Sequence, residues 1–179
     1  MRESSAFSLA QARQILERTP ATLRTLLTGL DESWLSAREG AETWNAVEVI
    51  AHLADLEDVD WMTRTRIILE QGEGTPFPPI DRVRFRASLE NQTLGQLLDA
   101  FAARRADNLR TLADLHLGAE HLARTGTHPT FGRVTLEQLL AAWAVHDLTH
   151  VAQIVRVLAK RYDAAVGPWK EFLGVLKRG

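Results

Sequence analysis

TLEQLLAAWAVHDLTHVAQIVRVLAK, residues 135 to 160, carries apolar side chains at Leu136, Leu139, Leu140, Trp143, Ile154, Val157 and Leu158, in steps of three and four. That spacing is one face of an α-helix, and Thr135 with Gln138 has the pattern of a capping box at its start. Continued through the gap, the apolar stripe lands on His146 and His150, so two imidazoles stand where core residues would be. Residues four apart share a helical face with Cβ atoms roughly 6 Å apart, close enough for both rings to bind one ion. HxxxH alone is a weak motif, and two hydrogen-bonded core histidines remain its plain reading.

Upstream, WNAVEVIAHLADLEDVDWMTRTR, residues 44 to 66, has the same periodicity. Asn45 and Glu48 form the cap pattern, and the helix is expected to run to about Gln71. His52 sits among Val49, Leu53 and Leu56, with Glu48 and Asp55 at helical spacing, and is the candidate third ligand. A metal-binding histidine commonly donates its other ring N–H to a carboxylate or carbonyl, which makes Asp55 and Asp147 candidates to orient the rings. Three neutral imidazoles would hold a divalent transition ion such as zinc or nickel and leave a position for water.

The rest of the chain also reads as helical, with no run of sustained strand-like alternation. A first helix is expected from Leu9 to about Leu30, with Pro20 bending or splitting it, since proline removes a backbone donor. Thr93 and Gln96 open a third helix ending near His116 to Gly118, and Pro168 opens a short C-terminal helix. Between the second and third helices, residues 71 to 92 hold glycines and prolines that forbid a continuous helix. About 21 residues at ~3.3 Å each reach roughly 70 Å, enough to return along the whole bundle and let those two helices run parallel. The expectation is one all-α domain over residues 1–179, a four-helix bundle.

Composition narrows the function. With no cysteine there is neither a disulfide nor a thiolate ligand or nucleophile, and a reducing compartment is compatible. A net charge of -2 gives no reason to expect nucleic acid, and Arg82, Arg84 and Arg86 read as a solvated edge. No apolar run approaches the roughly 20 residues of a membrane span, and MRESSAFSLAQARQ lacks the apolar core of a signal peptide, so a soluble cytoplasmic protein is expected. His116 and His121 read as solvated, His128 as a residue able to overhang the site, and Arg124 and Arg133 as candidates for an anionic cosubstrate. Among five tryptophans, Trp44 and Trp143 suit core packing and Trp169 suits a dimer surface.

The stretch from Trp44 to Arg66 and FGRVTLEQLLAAWAVHDLTHVAQI from Phe131 to Ile154 resemble the DinB-like superfamily, which includes DinB and YfiT-type bacterial proteins. The specific part is the histidine before Leu53-Ala54-Asp55, together with H-D-x-x-H-x-x-Q-I. The resemblance implies an up-down-down-up four-helix bundle with a metal held by His52, His146 and His150, and a homodimer. It also implies, as one activity within that family, transfer of a low-molecular-weight thiol to a small-molecule electrophile. A non-catalytic metal-binding, stress-associated protein and a helical interaction module are the alternatives.

Overall fold

The computed structural model describes residues 7–81 and 83–177. Its helices are α1 Leu9–Leu27, α2 Glu32–Leu35, α3 Ala46–Val59, α4 Trp61–Glu70, α5 Arg86–Leu89, α6 Leu94–Asp114, α7 Ala119–Leu122 and α8 Leu136–Lys160, with a hairpin of β1 Thr125–His128 and β2 Gly132–Thr135 before α8. The three sequence-level capping boxes all form. Asn45, Thr93 and Thr135 each accept from the backbone N–H three residues on, and Glu48, Gln96 and Gln138 each accept the reciprocal N–H.

The bundle consists of α1, α3 with α4, α6 and α8. One core cluster joins Ala12 and Leu16 of α1, Leu56 of α3, Trp61 and Ile68 of α4, Leu109 and Leu112 of α6, and Leu136 to Ala144 of α8. The other joins Leu23 and Leu27, Ala46 to Ala54, Leu97 to Phe101, and Ile154 with Leu158. The start of α1 thus shares an end of the bundle with the end of α6 and the start of α8, which makes the order up-down-down-up. The crossover between α4 and α6 spans both ends, burying Phe77 in the first cluster and Phe85 in the second.

Four features depart from the sequence reading. Of the two outcomes expected at Pro20, bending or splitting of α1, splitting does not occur, although proline cannot donate to the carbonyl four residues back. That carbonyl, Leu16 O, instead accepts from Arg105 Nη1 at 2.9 Å, so the missing bond is replaced across the bundle. The long second helix is interrupted at Asp60, where φ is -110° and ψ is -77°. The expected C-terminal helix takes the form of 3-10 turns at Gly167–Phe172 and Gly174–Leu176.

The fourth is the hairpin, expected as a loop. Its antiparallel pairing runs from Thr125↔Thr135 to His128↔Gly132, with Gly132 at φ 70° closing a three-residue turn. Packing holds it: a Cβ on Gly126 would lie 2.8 Å from Ile68 Cγ1 and 2.9 Å from Phe77 Cε1. Phe77 N also donates to Thr127 O at 2.9 Å. Such short strands give no readable alternation, because the neighbours that stabilise them are remote in sequence.

Candidate metal centre

His52 projects from the middle of α3, and His146 and His150 from the middle of α8. One ligand nitrogen from each lies within 4.8 Å of the other two, and His52 and His150 are buried. His146 Nε2 and His150 Nε2 are 3.1 Å apart. Metal–nitrogen bonds of ~2.0–2.1 Å at a tetrahedral angle place two donors about 3.3 Å apart, so this spacing fits a shared ion. His150 Nδ1 lies 2.8 Å from Gln153 Oε1, which can only accept; Nδ1 therefore carries the proton and Nε2 presents its lone pair to the centre.

Burial pushes His146 down to about 3, with the nearby His150, His52 and Arg105 adding to the effect, and burial also lowers His150. Both rings are therefore neutral near pH 7, the form that binds metal. The donor set fits a borderline divalent ion. Around it stand aromatic rings: Trp44 lies 4.7 Å from His52 and stacks at 6.3 Å on His150, Phe85 lies 5.8 Å from His52, and the Trp61 ring meets His146 at 5.2 Å.

Both carboxylates expected to orient the histidines pair with arginines. Asp147 forms a two-pronged pair with Arg105, at 2.6 and 2.9 Å, and Asp55 pairs with Arg84 at 3.1 Å. Gln153 takes the orienting role at His150. His146 Nδ1 is buried without a hydrogen-bond partner among the described residues, so that ring is positioned by contact with Trp61.

A cleft of about 620 Å³ opens over the histidines, lined by Trp44, Leu56, Asp60, Arg64, Ile80 and His128 among others. His128 does overhang the site from the hairpin turn. Its Nδ1 accepts from the N–H groups of Thr130 and Phe131, which leaves Nε2 as the N–H donor. Arg133 instead pairs with Glu73 on the surface, and Arg124 is exposed; neither lines this cleft. His116 is exposed, and His121 accepts from Gly118 N. Arg82 lies outside the described residues.

Asp60 and Arg64 escaped the sequence reading. The signal was the stripe itself: His52, Leu56, Asp60 and Arg64 follow at steps of four, and all four line the cleft. Burial raises the Asp60 carboxyl to about 6, although Arg64 pulls the other way.

The model of the DinB superfamily matches residues 15–154. The chain belongs to the DinB superfamily. Its fold is similar to that of YfiT from Bacillus subtilis, a structure described as a probable metal-dependent hydrolase with an unusual four-helix bundle topology. The two share 23% sequence identity with a TM-score of 0.72, over 90% of this chain and 93% of that one. No curated protein matches the chain.

Proposed function

We propose that this DinB superfamily protein binds one divalent metal ion through His52, His146 and His150 and is a metal-dependent enzyme acting on small molecules in the adjoining cleft. The observation that carries the reading is the convergence of three ring nitrogens within 4.8 Å beside a cleft of about 620 Å³. A structural zinc site normally fills its four positions with protein ligands. Among the described residues the group contains only these three, so a position remains for a small molecule.

When bound, such an ion lowers the pKa of a coordinated thiol or water. The protein's residues supply the remainder. Gln153 holds the His150 tautomer, Trp44 and Trp61 pack against His52 and His146, and Asp60, its carboxyl raised to about 6 by burial, lines the cleft beside Arg64. In this reading the nucleophile is a low-molecular-weight thiol, an activity the DinB superfamily membership suggests, which gives up its S–H proton and forms a sulfur–carbon bond to the electrophile by addition or with departure of the electrophile's leaving group. A second reading, with water as nucleophile, is favoured by the likeness to YfiT, described as a probable metal-dependent hydrolase.

Elemental analysis of untagged protein, followed by assay of the loaded protein against electrophiles with and without small thiols and against esters without them, tests both. Stoichiometric metal with thiol-dependent turnover supports the first reading, and thiol-independent hydrolysis the second. Bound metal with no turnover in either assay leaves a purely structural ion, and no metal removes the proposal.

The protein acts as a cytoplasmic homodimer in this reading. Among the described residues no helix is long and apolar enough to cross a membrane. Val145, Leu148 and Val155 form an exposed apolar stripe on α8, and Trp169 is 70% exposed, surfaces that a second copy would cover. Sedimentation equilibrium showing only a 20.0 kDa species at micromolar concentration would remove the dimer.

A further inference from the structure

The cleft has a charged wall opposite in kind to its histidines. Arg64 is only 9% exposed and Asp60 only 5%, an uncommon burial for both residue types. Asp60 sits at the interruption between α3 and α4, where its side chain makes no helix-capping hydrogen bond. Its Oδ1 lies 2.5 Å from Arg64 Nε, so the carboxylate occupies the inner side of the guanidinium. The guanidinium carbon lies over the Phe77 ring, 5.2 Å from its centroid, a cation–π contact that helps hold the side chain in place.

The outer edge of that guanidinium is different. Nη1 and Nη2 make no hydrogen bond to any described residue, and of the three guanidinium nitrogens only Nε, ion-paired with Asp60 Oδ1, is both sealed from solvent and without a hydrogen bond. The two terminal amino groups are therefore accessible, and Arg64 lines the cleft shared with His52, His146 and His150. Arg64 also contributes to lowering the pKa of His128, which places its charge close to the hairpin side of the same cleft. A buried, planar fork with its outer donors open matches a carboxylate or phosphate, which it can engage with two parallel hydrogen bonds. Trp44, Leu56, Pro79, Ile80 and Pro129 give the cleft an apolar wall, beside His128 and Thr130.

We propose that Arg64, oriented by Asp60, is the anion-recognition residue of the cleft, and that the substrate class is a small organic anion with an apolar body. Its acidic head sits on Nη1 and Nη2 while its body lies against Trp44, Leu56 and Ile80, towards the histidines. This assignment names the substrate class for the proposed enzyme and rests on that reading for its catalytic meaning, but the anion subsite itself requires no metal.

Calorimetric titration with phenylacetate, phenyl phosphate and neutral 2-phenylethanol tests it, on both metal-free and zinc-loaded protein. In each form at least one anion is expected to bind about tenfold or more tightly than the alcohol, as charge-assisted hydrogen bonds imply. Arg64→Lys, which keeps the charge and loses the fork, is expected to cut that preference. The double variant Asp60→Asn with Arg64→Gln, which leaves no unpaired buried charge, is expected to abolish it while alcohol binding stays unchanged. Whichever of phenylacetate and phenyl phosphate binds more tightly identifies the head group. Equal binding of anions and alcohol, absence of anion binding, or a preference that survives in the double variant would overturn the proposal. An anion preference confined to the zinc-loaded protein would also overturn it, because the anion would then sit on the metal. A preference in metal-free protein that binds no zinc would uphold the subsite and sink the metal reading alone.

Discussion

Replacing Arg105 by methionine should destabilise the fold more than any surface substitution, because that one side chain joins all four bundle helices. It projects from α6, is 2% exposed, and bonds Leu16 O of α1, Glu57 of α3 at 2.8 Å and Asp147 of α8 at 2.6 and 2.9 Å. Burial alone would lower its pKa, but the hydrogen bonds and charges of Asp147 and Glu57 outweigh that effect and the net direction is up. Methionine keeps the apolar stem and removes every donor. Glu57 would retain Trp143 Nε1 at 3.2 Å and Asn108 Nδ2 at 3.0 Å, whereas both bonds from Arg105 to Asp147 would be lost. Breaking a buried pair from one side costs about 3–5 kcal/mol. At ~2–4 °C per kcal/mol for a chain of this size, the melting temperature should fall by roughly 6–20 °C. Urea and thermal unfolding followed by circular dichroism measure both. Adding Glu57→Gln and Asp147→Asn removes the stranded charges, so the triple variant should recover much of the loss. A loss under about 1 kcal/mol in Arg105→Met, or a triple variant no more stable than the single one, would refute the reasoning.

His52→Ala, His146→Ala and His150→Ala should each greatly weaken zinc binding measured by calorimetry, while His116→Ala and His121→Ala leave it unchanged; full affinity in any triad variant would exclude that ligand. In metal-free protein the fold keeps His146 neutral, so its contribution is intact above its ordinary 6.5 and is lost as pH falls towards about 3. From pH 7 to 5 the loss is about 2 kcal/mol. Asp60, raised from 3.8 to about 6, acts with the opposite sign, strengthening the fold as pH falls through that window. The quantity to measure is therefore the stability difference between wild type and His146→Gln, and parallel pH curves would contradict it. Gly126→Ala should cost about 1–3 kcal/mol in urea unfolding, because its Cβ has no room between Ile68 and Phe77; an unchanged midpoint would mean the hairpin can move.

Local signals were enough for the long helices. The pairs Asn45 with Glu48, Thr93 with Gln96 and Thr135 with Gln138 specify helix starts through bonds made within three residues, so they read directly from sequence. His146 and His150 share a face for the same reason. The meeting of His52 with them is a tertiary event: α3 and α8 must pack in one axial register. Tertiary structure also decided the partners of the acidic residues. Asp147 lies beside His146 in sequence, yet Arg105, 42 residues away, takes its carboxylate, since a buried guanidinium needs buried charge to compensate it. The same guanidinium explains why Pro20 leaves α1 intact, by bonding the carbonyl that proline orphans. The hairpin and the interruption at Asp60 likewise had no local cause strong enough to read. What the sequence determined by itself was what neighbours within a few residues can enforce. What only the tertiary structure decided was which distant group satisfies each buried polar atom, because desolvation is set by the surrounding packing and not by chain position.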